Sequence, residues 1–103
     1  MLPPTSPELA RDDARPYFLW WTDVTAGRLR ELVRSSDAEE RAYWTGALLR
    51  EANTRDVWLF VDPAHIRANW PRLTRYLARS RAMWAFLLDL PDHGWPPPEA
   101  GGA

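Results

Sequence analysis

The sequence predicts an all-α protein, a compact bundle of five or six short helices between two Pro-rich tails. Three observations support this prediction. Apolar residues recur at helical spacing along the body of the chain, helix start signals precede most of these stretches, and no hairpin turn such as Asn-Gly occurs. The 103 residues are enough for one domain at most.

Proline marks both ends of the chain. Residues 1–15 and 91–103 hold most of the 10 prolines and lack periodic apolar positions, so we expect flexible tails there and a helical domain at 16–90. Ser6 followed by Pro7 would permit a short helix within the first tail. The prolines at 96–98 are typical of a solvated tail, with a polyproline ligand as the alternative.

The first helix of the body follows the aromatic run Tyr17–Trp21. Thr22 or Asp23 is expected to cap it, and its apolar stripe predicts that it runs through Arg34.

A capping box predicts the next helix start. Ser36 is followed three residues later by Glu39, so each side chain can bond a free backbone amide. That helix should stop at Asn53, which tolerates the left-handed conformation. Thr54 is then expected to cap again, and residues 57–61 are read as a buried helical turn rather than a strand.

Prolines mark the expected helix bounds in the second half of the body. Asp62 with Pro63 predicts a capped helix start, and Asn69 to Pro71 predicts an interruption. A separate helix is expected from Pro71 to Arg79. A last helix follows, which Ser80 caps and Pro91 ends, and its apolar stripe at helical spacing is Met83, Phe86, Leu87 and Leu90.

Charge is balanced overall but unevenly distributed. Thirteen basic and 14 acidic residues give a net charge of -1, which argues against a general polyanion binder. Residues 35–62 carry an acidic excess, whereas residues 63–81 hold five arginines and no acid. Such an asymmetry favours a surface that binds a partner.

Three arginines stand at helical spacing in the second half. Arg72, Arg75 and Arg79 would lie along one side of the predicted helix, where they could contact phosphates or an acidic protein surface. The alternative is a solvated face produced by compositional bias, since every basic residue of the chain is arginine.

Seven tryptophans are many for so short a chain. Trp44 and Trp84 fit helix cores. Trp20 and Trp21 are neighbours and cannot readily both face one core, so one of the pair is a candidate interface anchor.

Residues that carry chemistry are scarce. The chain has no cysteine and two histidines. A helix cap accounts better for Asp62 and His65 than a metal site, which would need further ligands. Glu39 and Glu40 are adjacent and do not converge as an acid/base pair, and the five glycines form no phosphate loop. We therefore expect no enzyme, no cofactor and no metal.

Neither end carries a targeting signal, and the longest apolar runs are far short of a membrane span. A cytoplasmic protein that does not interact with a membrane is expected.

Four segments between Pro16 and Leu88 carry a family resemblance: Tyr17 to Val24, Arg41 to Glu51 with its closing LLRE, the RDVW of 55–58 and the WAFLL of 84–88. In these the chain resembles a family of small bacterial helical proteins of unassigned function. Members of that family are often encoded beside nucleotidyltransferase-like toxins of the abortive-infection type. The resemblance implies an antitoxin partner, and it implies no catalytic residues.

Two functions follow as hypotheses. The first is a non-enzymatic module that binds a protein partner, such as a toxin encoded nearby. The alternative is a small DNA-binding regulator, as a monomer or a homodimer. The candidate partner-binding residues for either are Trp20, Trp21, Arg72, Arg75 and Arg79.

Overall fold

The computed structural model describes residues 7–90, and all structural statements below concern that range. Five α-helices follow one another: α1 (Ala26–Leu32), α2 (Ala38–Glu51), α3 (Thr54–Val57), α4 (Pro63–Leu73) and α5 (Ser80–Leu88). Three short 3-10 helices lie at Pro7–Ala10, Tyr17–Leu19 and Thr74–Tyr76. Residues 7–90 contain no strand, which confirms the predicted all-α bundle of short helices.

Residues 7–15 pack against the bundle, so the predicted tail over 1–15 is wrong for that part of the segment. Leu9 is buried in the core. The backbone oxygens of Asp12 and Ala14 accept hydrogen bonds of 2.9 and 2.8 Å from the first amides of α1. A single buried leucine produces no periodicity, and this is why the sequence pattern did not reveal the contact. The remainder of both predicted tails, with Ser6, Pro91 and the prolines at 96–98, lies outside the described residues.

The cap of α1 lies slightly later in the chain than predicted. Thr25, rather than Thr22 or Asp23, accepts a hydrogen bond of 3.2 Å from the amide of Arg28. All three residues have a side-chain oxygen suited to capping, so residue type alone could not distinguish them.

The cap of α2 is Asp37, and the predicted capping box of Ser36 with Glu39 is wrong. Asp37 Oδ1 accepts hydrogen bonds of 2.9 Å from the Glu39 amide and 3.2 Å from the Glu40 amide. The carboxylate of Glu39 instead binds residues of α4 and the following 3-10 helix. Tertiary partners have replaced the local bond that a capping box requires.

Asn53 ends one helix and starts the next. It lies after the end of α2 in an extended conformation (φ -61°, ψ 139°), not in the left-handed one. Its side chain accepts a hydrogen bond of 3.1 Å from the Arg55 amide, so Asn53 caps α3 in place of Thr54, which is the first residue of that helix. Residues 58–60 continue as turns, in agreement with the helical-turn reading of 57–61.

Helix α4 begins as predicted and ends differently. Asp62 Oδ1 accepts a hydrogen bond of 2.8 Å from the His65 amide, and Pro63 is the first helical residue. The predicted interruption at Asn69 to Pro71 is absent, since the helix continues to Leu73. Burial of Trp70 and Leu73 against the core stabilises this last turn despite the missing amide of Pro71.

The predicted helix from Pro71 to Arg79 does not form. After α4 the chain passes through the 3-10 helix Thr74–Tyr76, and Ala78 takes a left-handed conformation with φ 49°. The Ser80 hydroxyl donates to the Leu77 carbonyl at 2.7 Å and does not cap α5. Helix α5 ends at Leu88, before the left-handed Asp89.

Helix α2 lies at the centre of the bundle. It packs against α1, α3, α4 and two of the 3-10 helices. Gly46 permits the closest of these approaches, because a Cβ atom there would lie 2.5 Å from Tyr76 Cβ. On another side of the core, Trp84 is fully buried, and its indole N–H donates to the Leu49 carbonyl at 3.0 Å. Trp44, expected in the core, is partly buried against it.

Candidate functional site

Glu39 joins the acidic and the arginine-rich halves of the chain. Its carboxylate accepts hydrogen bonds of 2.9 Å from Arg72 and 2.9 Å from the Tyr76 hydroxyl, and Arg75 lies at 3.7 Å. The Tyr76 hydrogen bond, with the two guanidiniums, lowers the pKa of Glu39 below its usual value. The same hydrogen bond raises the pKa of Tyr76.

The three predicted arginines therefore do not form one stripe. Arg72 lies at the end of α4, Arg75 on the 3-10 helix, and Arg79 at the start of α5. Glu39 pairs with the first two, whereas Arg79 is exposed and has no side-chain hydrogen bond or ion pair within residues 7–90. The structure separates Arg79 from the other two in both position and charge environment.

Trp20 and Trp21 follow the 3-10 helix Tyr17–Leu19. Phe18 and Leu19 fill the core from that helix, while Trp20 is 79% exposed and Trp21 is 37% exposed. The two indoles pack edge to face with centroids 5.8 Å apart. Neither tryptophan is buried, so the pair presents aromatic surface to solvent.

Helix α5 presents an exposed apolar face made of residues that the sequence pattern assigns to its apolar stripe. Trp84, Ala85 and Leu88 face the core. On the opposite side lie Met83, Phe86 and Leu87, which we call the α5 outer face, and Phe86 there is 85% exposed. A helix that is apolar on all sides is ordinarily buried on all sides. The stripe predicted from periodicity is therefore the exposed face and not the core face, because both faces of α5 are apolar and spacing alone fits either.

Two grooves share part of their lining. The α3 groove, with a cavity volume of about 810 Å³, is lined by Asn53, Thr54, Arg55, Trp58, Val61, Asp62 and Pro63. The α5 groove, with a volume of about 650 Å³, is lined by Leu49, Arg50, Ala52, Asn53, Thr54, Ala78, Arg79, Ser80 and Met83. They share Asn53 and Thr54 at the junction of α2 and α3, and we call this shared part of the lining the ridge.

Each groove contains one unpaired guanidinium. Arg55 lines the α3 groove and Arg79 lines the α5 groove. Both are exposed, and neither side chain has a hydrogen bond or ion pair in the part of the chain that the structure describes. Every other arginine of residues 7–90 has an interaction of its side chain. Arg55 is not among the predicted binding residues, because no local pattern in the sequence marks it.

A buried carboxylate fixes the ridge between the grooves. The Tyr17 hydroxyl donates to Asp56 Oδ2 at 2.7 Å and accepts from the Asn53 amide at 2.9 Å. Asp56 is fully buried, and a buried carboxylate requires such partners. These bonds tie α3 to the N-terminal part of the chain and hold the groove walls in place.

The side chain of His65 makes a contact within the bundle that supports the fold. Its Nε2 lies 3.1 Å from Thr45 Oγ1, and burial lowers the pKa of His65, although the Asp62 carboxylate opposes this effect. Residues 7–90 contain no group of three or more side chains that could hold a metal ion. No helix among them is both long and apolar enough to span a membrane.

Comparisons with protein-family models, with curated proteins and with solved structures found no match to this chain.

Proposed function

We propose that this protein is a non-enzymatic helical module that binds a protein partner in the cytoplasm. The observation that carries this proposal is the α5 outer face, where Phe86 is 85% exposed between Met83 and Leu87. Contiguous apolar surface of this kind is typical of protein interfaces. The exposed Trp20 and Trp21 supply a second aromatic surface, and tryptophan is among the residues enriched at binding hot spots.

The partner we propose is a nucleotidyltransferase-type toxin encoded nearby in a bacterial genome, which this protein would neutralise. The resemblance of residues 16–88 to a family often encoded beside such toxins supports that choice. An apolar docking surface suits neutralisation by direct contact, because buried aromatic anchors contribute strongly to affinity.

Co-expression with the product of the adjacent gene tests this function. We expect the two proteins to co-purify and the toxicity of the partner to fall. Phe86→Ser should weaken the complex, whereas Glu40→Ser, at an exposed position of α2, should leave it intact. If the two proteins neither co-purify nor alter each other's toxicity, the antitoxin proposal is wrong.

A further inference from the structure

We infer that the α3 and α5 grooves together bind an acidic peptide segment of a protein partner, with Arg55 and Arg79 each binding a carboxylate. This inference rests on the proposed protein-binding function and specifies the chemistry of what is bound. The two arginines of the grooves would add polar recognition of carboxylates to the apolar contact made by the α5 outer face.

The two guanidiniums are available to a ligand. Within residues 7–90, Arg55 and Arg79 are the arginines whose side chains have no partner, and each lines one of the two adjoining grooves. Arginine binds carboxylates through a planar pair of hydrogen bonds. A segment that crosses the ridge at Asn53 and Thr54 would therefore meet one arginine on each side.

The apolar part of the two linings favours an apolar side chain in the bound segment. Trp58 is half-buried in the α3 groove, where its ring packs edge to face on Trp84 at 5.8 Å. Val61 and Pro63 lie beside it, and Met83 lines the α5 groove. Such a lining favours leucine or an aromatic side chain between the acidic residues of the partner.

The same residues favour a peptide over a nucleic acid. A nucleic acid backbone is bound by a continuous series of cations, whereas the two unpaired guanidiniums lie in separate grooves, and the third, Arg50, is already paired with Glu51.

Met83 connects this site to the proposed function. It belongs both to the α5 outer face and to the lining of the α5 groove. One partner could therefore cover Phe86 with a folded surface and extend an acidic segment into the grooves.

Selection from a display library of random 16-residue peptides tests the inference, with the full-length protein as bait. Enriched peptides should carry two or more Asp or Glu residues around an apolar centre. Arg55→Gln and Arg79→Gln should each bind a synthetic copy of an enriched peptide about fivefold or more weakly than the wild type does. Binding should weaken further as the salt concentration rises. Arg28→Gln, which removes an exposed arginine paired with Glu31 on α1, should bind as the wild type does. Circular dichroism confirms that each variant is folded.

The remaining outcomes separate this inference from the proposed function. Enriched peptides that are neutral or basic, or acidic peptides that Arg55→Gln and Arg79→Gln bind unchanged, would overturn the inference and leave protein binding through α5 standing. Selection of no peptide above an unrelated bait overturns it as well, while co-purification with the adjacent gene product decides the function separately. A duplex DNA oligonucleotide that binds through the same two arginines, or self-association that blocks the grooves, would also overturn it.

Discussion

Glu39 illustrates how tertiary contacts decide the role of a single side chain. Its position three residues after Ser36 suits a capping box, yet its carboxylate binds Arg72 and Tyr76 at 2.9 Å each. Two charge-assisted hydrogen bonds from another part of the chain compete with one local bond to an amide. Asp37 caps the helix through the Glu39 and Glu40 amides, and its side chain has no such distant partner within residues 7–90.

The cap of α2 can be tested by a pair of neighbouring substitutions. Asp37→Ala removes the acceptor for the Glu39 and Glu40 amides, so the free energy of unfolding should fall by about 1 kcal/mol. Ser36→Ala removes the residue that the sequence pattern favours and should change it by less than about 0.5 kcal/mol. Urea unfolding of both variants measures the difference. Equal losses would mean that Ser36 shares the capping role.

His65 should make the stability of the protein depend on pH. Burial lowers the pKa of His65 in the folded state, so the unfolded chain binds the proton more tightly. The free energy of unfolding should therefore fall as pH decreases through the ordinary titration range of histidine, near 6.5, and be fully retained above it. Denaturant unfolding between pH 5 and 8 measures this dependence.

The control for this prediction is the other histidine of the chain. His65→Gln should flatten the pH dependence in that range, whereas His93→Gln, which removes the other imidazole and retains both His65 and Thr45, should keep it. If His65→Gln leaves the slope unchanged, His65 is not the titrating group.

At the scale of the element, α5 has two apolar faces with different roles. Trp84 is fully buried and donates a hydrogen bond to Leu49, whereas Phe86, two residues on, is largely exposed. The first face is apolar because it is buried in the core of the folded protein. On the second face, residues 7–90 cover Met83 and Leu87 only partly and leave Phe86 85% exposed, which is the surface that the proposed partner would cover.

Two substitutions separate these roles. Trp84→Ala should lower the free energy of unfolding by about 3 to 5 kcal/mol, because it leaves a large cavity in the core. Phe86→Ala should change it by less than about 0.5 kcal/mol, since an exposed ring contributes little to packing. Thermal or urea unfolding measures both. A large loss in Phe86→Ala would show that this ring supports the fold and would weaken the case for a binding surface.

The existence of the helices could be predicted from the sequence more readily than their bounds. Asp62 with Pro63 marks the start of α4 because both local preferences agree there. Proline at 71 argued for a break, but burial of Trp70 and Leu73 outweighs the loss of one backbone hydrogen bond. The left-handed Ala78 then ends the segment at a residue type that gives no such signal.

The candidate site could be predicted only in part, for a related reason. Adjacent tryptophans at 20 and 21 indicate exposure by themselves, because two neighbours rarely face the same core. The availability of Arg55 and Arg79 depends on where each acidic side chain finds its partner in the folded chain. Spacing along the sequence grouped Arg79 with Arg72 and Arg75, whereas Glu39 pairs only with the latter two.

At the scale of the whole molecule, the uneven charge of the sequence is partly neutralised inside the fold. Helix α2 brings Glu39 from the acidic segment to arginines from the segment that lacks acids. Such pairs at a partly exposed surface contribute modestly to stability, but they determine which guanidiniums remain available. The surface around Arg72 and Arg75 is therefore less basic than the sequence of residues 63–81 suggests.

Glu39→Gln tests whether this neutralisation restrains binding to DNA. The substitution frees Arg72 and Arg75, so binding to a duplex oligonucleotide at low salt should strengthen. The slope of the logarithm of the binding constant against the logarithm of the salt concentration should steepen by about one for each new phosphate contact. Glu40→Gln makes the same change in net charge at an exposed neighbour whose side chain has no partner in residues 7–90. Fluorescence anisotropy compares the two, and equal strengthening would show that net charge alone governs the interaction.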